Sequence, residues 1–450
     1  MALAQLVKAW DGANRAQFVA AWVDPSPGTP EFDSPADRGT LDIPNCSYAD
    51  NLFTFRNRWD QSGGTSGARF MYARITGVLG LTPQFRMTID NLDGVTNPAS
   101  QFAFSYDNIT WERFSNRGTA ATYFSFSHNS PFTQNTVYVA IWPAWPTGRT
   151  LGWIQGLVGT GYVGDTPSAA DFVFETRTAT VNELGDAIAA TPLYAFKIAA
   201  PGTTAPDGSP RRNMVLMAGV HASEDVGNFC LKGAIEFLVS EDPQAATIRS
   251  WFNTFVYPVV ASAGRKGGSG RSDFQSGYMK YDVNREWDNA LLETLVKHKA
   301  AITADTGGEI AVFMDFHGTT AQAYRYDYYD TRTDFAAWAA AVQTFIPGLV
   351  QTQLDVGGTS VEWAVDTFSP SVAIIHENPY IRGGNITQAF IEQSGADHMR
   401  AVALLASQGY FGQNLEVEGV VNAIDEALDF AIVEAVVSDA GSQVIVTMMG

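Results

Sequence analysis

Two residues with metal-binding side chains stand three positions apart in the stretch "MAGVHASEDVG": His221 and Glu224, directly after the apolar run "NMVLMAGV". At that spacing a ring nitrogen and a carboxylate oxygen can turn toward one point from a single helical turn, and both are common zinc ligands. The pair alone is weak evidence, because an H-x-x-E at a helix start also arises without a metal. Asp225 follows Glu224, so there is no H-x-x-E-H arrangement and a third ligand has to come from elsewhere. His317 meets that need in "IAVFMDFHGTT", where an apolar strand ends at a histidine followed by Gly318. Catalytic zinc keeps three protein ligands and one position for water, so His221, Glu224 and His317 make a candidate site for one Zn2+ per chain. His128, His298, His376 and His398 have weaker contexts and read as structural, with His298 and His398 expected on solvated helix faces.

Two more segments carry chemistry. "KYDVNREWDN" groups Asp282, Asn284 and Arg285, and "SVAIIHENPY" ends an apolar strand at Glu377. Strand ends are where an α/β sheet presents its reactive groups. The order H-x-x-E, D-x-N-R, strand-ending histidine, strand-ending glutamate resembles the M14 family of zinc carboxypeptidases over roughly Leu193 to Leu405. That span includes "GGTSVEW" and the late helical "ITQAFIEQSGADHMRAVALLA". The aromatic β-rich region ahead of it is similar to the β-sandwich that precedes the catalytic domain in the cytosolic carboxypeptidase subgroup. Gly264 and Arg271 also keep that subgroup's interval between a loop glycine and a catalytic arginine. Two local departures stand out: "ASAG" replaces the subgroup's "NPDG" and "HASE" its "HPGE".

The resemblance implies a role for each matching residue. His221, Glu224 and His317 bind zinc, and Glu377 is the general base. Arg271 polarises the scissile carbonyl, with Arg265 a competitor in the same loop. Asn284 and Arg285 hold the substrate's terminal carboxylate. Asp282 accepts a hydrogen bond from His221 and fixes its tautomer. Val361, in "GGTSVEW", lines the pocket for the terminal side chain and favours a neutral or apolar residue, unless Glu362 takes that place and favours a basic one. The family's mobile tyrosine is missing from "VQTQLDVGG", where Gln353 or Leu354 stands, and Tyr324, Tyr326, Tyr328 and Tyr329 are candidates to substitute for it from another loop.

Positioning these groups requires a particular order of elements. From about Phe53 to Ile154, short aromatic runs such as "LFTFRNRW", "QFRMTID", "TYFSFSH" and "TVYVAIW" predict an antiparallel β-sandwich. Strands and helices then alternate, with "NELGDAIAAT", "VGNFCLKGAIEFLV", "NALLETLVKHKA" and "DFAAWAAAVQTFI" read as helices. The expected organisation is a β-sandwich domain over 1–164 and an α/β catalytic domain over 165–413, with a mixed sheet and helices on both faces. An acidic tail of unassigned role, 414–450, follows.

Composition narrows the function. The net charge of −19 and the scarcity of Lys and Arg disfavour a nucleic-acid partner. Two distant cysteines give no disulfide framework. The amino terminus lacks a signal-peptide apolar run and no later run reaches membrane-spanning length, so a cytoplasmic protein with no membrane partner is the expectation. The expected partner is a peptide or protein C-terminus, and oligomeric state is left open. Besides a carboxypeptidase, two other functions fit: a zinc deacylase of N-acyl amino acids, like succinylglutamate desuccinylase and aspartoacylase, and a non-catalytic binding module on the same fold.

Overall fold

The computed structural model describes residues 29–35, 41–57, 71–88, 102–120, 122–182, 186–275, 279–289, 291–319, 325–333, 335–354, 356–379 and 387–411, with the backbone of 435–437 and 444–446. Two five-stranded sheets come first. One orders Glu31–Asp33, Tyr72–Thr76, Thr136–Ala140, Ala103–Ser105 and Glu112–Arg113, all antiparallel. The other orders Ser47–Ala49, Leu52–Phe55, Gln84–Thr88, Tyr123–Ser127 and Asn116–Thr119. Alternate residues of Leu52–Phe55, Gln84–Thr88 and Tyr123–Ser127 are buried, so the second sheet turns an aromatic face inward. Phe32 meets Phe53, and Phe102 stacks on Phe126 at 3.9 Å between centroids, so the rings join one sheet to the other. In one respect the sandwich is not antiparallel: Leu52–Phe55 and Gln84–Thr88 pair in parallel, with Phe53 opposite Phe85. Alternation reports which face is buried and says nothing of strand direction.

Helix α1, Arg149–Val158, leads to an eight-stranded sheet. Its strands in chain order are β1 Val163–Gly164, β2 Phe196–Ile198, β3 Arg212–Ala218, β4 Phe252–Tyr257, β5 Val312–Thr319, β6 Tyr326–Tyr329, β7 Val350–Gln353 and β8 Val372–Pro379. Across the sheet they run β1-β2-β4-β3-β5-β8-β6-β7. The central four, β4, β3, β5 and β8, are parallel. Burial on both faces explains their unbroken apolar runs. The intervening helices are α2 Asp225–Leu238, α3 Pro243–Trp251, α4 Ser262–Lys266, α5 Glu293–Thr306, α6 Phe335–Phe345, α7 Ser360–Phe368 and α8 Gln388–Ser407. Val215, Met217, Phe313, Ala373 and Ile375 share a core with Leu295 and Ile302 of α5 and Val361 of α7. The other face of the sheet carries α2, which packs against β5, β8 and α8.

Helices α2 and α8 cross at backbone contact. A Cβ on Gly395 would lie 1.9 Å from the Cys230 carbonyl oxygen, and one on Gly233 1.8 Å from that of Glu392. Ordinarily Gly→Ala inside a helix gains about 1 kcal/mol. Here the helices must separate instead, so Gly395→Ala is expected to lower unfolding free energy by about 1–3 kcal/mol in a denaturant titration.

Several expectations differ from what forms. The stretch expected as a helix over 182–191 contributes Ala187–Ile188, a strand paired antiparallel with Thr180–Val181. His298 and His398 are fully buried, not solvated. His298 sits on α5 against Phe174 and Tyr257, its Nδ1 hydrogen-bonded to the Thr294 carbonyl, and burial pushes its pKa down to about 4. Residues 409–450 form a separate compact unit. Within the acidic tail only the antiparallel pair Ala435–Val437 and Val444–Val446 lies among the described residues. No helix among the described residues is long and apolar enough to cross a membrane.

Candidate active site

The carboxyl ends of β3, β5 and β8 place the reactive groups side by side. β3 ends at Ala218, and the turn after it carries His221 to Glu224, the residue before α2. Gly227, in the first turn of α2, explains why that turn reaches the sheet, since a Cβ there would lie 2.1 Å from the Phe316 carbonyl oxygen. Without a side chain the helix start closes onto β5, and Glu224 Oε2 accepts from the Gly318 backbone N–H at 3.2 Å. In the parallel register of β5 and β8, His317 pairs with Glu377. Paired residues on neighbouring strands project to the same face, so the imidazole and the carboxylate stand together.

His221, Glu224 and His317 are buried, and each offers one ligand atom within 4.8 Å of the other two. Nδ1 of His221 lies 2.8 Å from Glu224 Oε1, and Nδ1 of His317 lies 2.8 Å from Glu224 Oε2. The opposite nitrogens are also held. His221 Nε2 is 3.0 Å from Asp282 Oδ1, and His317 Nε2 is 2.8 Å from Asp315 Oδ2. An ionised carboxylate can only accept, so a neutral ring that donates Nε2–H outward would turn an Nδ1 lone pair toward Glu224, which has no proton to offer in return. Two lone pairs and a carboxylate facing one another call for a cation, and N, N, O is a zinc donor set. The residues present therefore fit one Zn2+.

Charges around the site are strongly coupled. Burial alone would raise Glu224, but His221 and His317 hold its carboxyl well below the usual range. Asp282 behaves likewise, with His221, Arg271 and Arg285 outweighing burial. Glu377 goes the other way: burial first, then the negative Glu224, push it up to about 8. Its Oε2 is buried without a hydrogen-bond partner. An unsatisfied acceptor beside a metal-type cluster is a group available for proton transfer.

The two loop arginines part company. Arg271 points at the cluster, with Nε 3.0 Å from Asp282 Oδ2 and Nη1 3.6 Å from Glu224 Oε1. Burial works against its charge, yet Asp282, Glu224 and Glu377 keep its pKa above the ordinary value. Arg265 is fully buried elsewhere, paired with Asp225 at 3.0 Å and donating to the Trp145 carbonyl and Asn228 Oδ1. Its task is to join the segment before α1 to the start of α2.

Asn284 and Arg285 lie in a 3-10 turn, Val283–Arg285, capped by Asp282, whose Oδ1 accepts from the Asn284 N–H at 3.0 Å. Asn284 is buried and its Oδ1 accepts from the Ser360 N–H, while Arg285 is exposed with Nη1 on the Asn284 carbonyl. Val361 is sealed in the core with no surface for a ligand, and the Glu362 carboxylate accepts from the Gly358 N–H. Of the four tyrosines, Tyr328 packs against the core and Tyr329 stacks on Phe335 at 3.5 Å. Tyr324 and the side chain of Tyr326 lie outside the described residues.

Two sets of supporting residues went unnoticed in the sequence. Asp315 braces His317 and accepts from Ser360 Oγ at 2.6 Å, and an acid inside the apolar "VFMDFHG" was the signal for it. Trp142 donates to the Ser223 carbonyl, and the Trp145 N–H donates to Asp225 Oδ2. "WPAW" therefore grips the metal-type loop from the sandwich side, and no local motif marks it.

Comparison with known proteins falls on the same region. Residues 175–344 match the zinc carboxypeptidase family, peptidase M14. The chain is 27% identical over 135 residues to cytosolic carboxypeptidase 2 of Xenopus tropicalis, covering 29% of this chain and 14% of that protein. It is 33% identical over 113 residues to cytosolic carboxypeptidase 4 of Mus musculus, covering 24% of this chain and 10% of that one. The matches thus span under a fifth of either relative's length. Among solved structures, a metallo-carboxypeptidase from Burkholderia cenocepacia superposes with a TM-score of 0.67 at 17% identity, covering 85% of this chain and all of that one. A Pseudomonas aeruginosa metallo-carboxypeptidase gives 0.64 at 14% identity, over 84% of this chain and 99% of that one. These two share the fold of the described chain.

Proposed function

We propose that this chain, which carries an M14 zinc carboxypeptidase domain, removes the terminal residue from the C-terminus of a peptide or protein. The observation that carries the reading is the convergence of His221, Glu224 and His317 to within 4.8 Å, with Glu377 beside them on the next strand. When bound, zinc would supply the Lewis acidity that makes water a nucleophile near neutral pH. Glu377, ionised once the cation's charge offsets that of Glu224, takes the proton of the attacking water and returns it to the leaving amine. Arg271 turns its guanidinium toward the charge developing on the scissile carbonyl. Asp282 and Asp315 hold the two imidazoles in the tautomer that leaves Nδ1 free to bind.

Arg285 meets the terminal carboxylate with a planar pair of donors, and Asn284 fixes the turn that presents it. Val361 acts through packing, setting where α7 starts and so where Ser360 meets Asp315. The organisation that goes with this reading is a sandwich domain over 1–164 bracing a catalytic domain over 165–413.

The test is a mixed peptide library in which each sequence has a free and an amidated C-terminus, read by mass spectrometry. Loss of single residues from free peptides alone is the expected result. Internal cuts, or equal cleavage of amidated peptides, would refute an exopeptidase. Within the same assay Arg285→Ala should raise KM for free peptides about 10- to 100-fold, the worth of a charge-assisted hydrogen bond, with kcat changed far less. An unchanged KM would remove the carboxylate clamp.

A further inference from the structure

On the opposite face of the sheet a second cluster of metal-type side chains is closed off from solvent. His376 precedes Glu377 on β8 and so points the other way, toward α2 and α8. Asp327 lies opposite it on β6, and His398 reaches in from α8. All three are fully buried, and each offers a ligand atom within 4.8 Å of the other two.

Proton bookkeeping shows what the cluster lacks. His398 Nδ1 lies 2.8 Å from the Ser394 carbonyl oxygen, which can only accept, so that nitrogen carries the proton. In a neutral ring Nε2 is then a bare lone pair, yet it faces Asp327 Oδ1 at 3.2 Å. The same oxygen is 2.7 Å from Nδ1 of His376, whose Nε2 is held by Ser394 Oγ at 3.2 Å. Asp327 Oδ2 accepts from Trp338 Nε1 at 2.9 Å. Among the described residues no Lys or Arg forms a salt bridge with this carboxylate; Arg325 lies over the Phe390 ring and acts on Asp327 and His376 only through its longer-range charge. A cation between Asp327 and His398, either a second ring proton or a metal ion, relieves that contact, and the outward nitrogens are already braced as they are in metal-bound histidines.

We propose that Asp327, His376 and His398 form a second, non-catalytic site for a divalent transition metal of the zinc type, clamping β6, β8 and α8 behind the active site. Two imidazoles and a carboxylate from three separate elements suit zinc, and four-coordinate closure is usual for structural sites. One donor on the same face of β8 neighbours the cluster for the fourth position. Asn378, on the same face of β8 as His376, has Oδ1 and Nδ2 buried without a nitrogen or oxygen partner, and Cys230, outside the cluster, contacts Asn378. Because the site is sealed, the metal enters as the chain folds, and its removal accompanies unfolding.

Metal analysis of protein expressed with added zinc and dialysed free of loose ions tests this. Wild type should hold two equivalents per chain, and Asp327→Asn should hold one. His221→Ala/His317→Ala, which leaves the second cluster untouched, should also retain one equivalent. If that double variant retains none, the missing cation is only a proton on His398, and the site is an ion pair. Should Asp327→Asn fail to fold, the double variant alone decides.

Discussion

Glu377→Gln is expected to leave zinc content unchanged while lowering kcat by about 10²- to 10⁴-fold, the usual contribution of a general base. Glutamine keeps the volume and an acceptor oxygen but cannot take up a proton, so packing against β5 survives and proton transfer does not. The three metal-type ligands lie on other elements, which is why binding and turnover should separate. A pH series of the metal-free protein adds a second readout. The Glu377 carboxyl is raised in the folded chain from an ordinary 4.5 to about 8. The folded state therefore binds the extra proton, and this contribution to stability is full below about pH 4.5 and lost as pH rises through 8. Wild type should lose Tm relative to Glu377→Gln across that window. Unchanged turnover in the variant would remove the general-base role, and parallel Tm curves would show that the carboxyl is not strained by burial.

How much of this was legible in the chain depended on burial. "NMVLMAGV" and "IAVFMDF" announced central strands because a parallel sheet covered on both faces tolerates only apolar runs, and the groups at their ends stood out by contrast. The same logic could have exposed Asp315, an acid in the middle of such a run. His398 misled because α8 is covered over much more than one stripe. Gly395 brings α2 into backbone contact, and Ser394, His398, Ala401 and Leu405 are buried with it. Helical periodicity assumes one apolar face and assigns a lone polar residue to water. Arg265 and Arg271 sit in one loop and looked interchangeable. What separates them is long-range: Arg265 is claimed by Trp145, Asp225 and Asn228, and Arg271 is left to Glu224 and Asp282.

His317→Ala is expected to lose one equivalent of zinc and to lower kcat/KM by about 10³-fold or more, since several kcal/mol of transition-state stabilisation leave with the metal. The side chain connects two buried carboxylates, Glu224 at 2.8 Å and Asp315 at 2.8 Å, and without it Glu224 keeps His221 and Arg271 while Asp315 keeps only the Ser360 hydroxyl. Removing it leaves those charges facing a cavity, and breaking a buried pair costs about 3–5 kcal/mol of stability. Activity loss could then be mistaken for unfolding, so the prediction needs a graded companion. Asp315→Asn keeps the imidazole and weakens only its brace, and should reduce zinc affinity by about 10- to 100-fold while activity returns at saturating zinc. Rescue by zinc in Asp315→Asn, with none in His317→Ala at a temperature where circular dichroism shows both folded, separates ligand from support. If His317→Ala binds zinc as wild type does, the ion is held elsewhere. The strand end that aligns His317 with Glu377 would then have no part in catalysis.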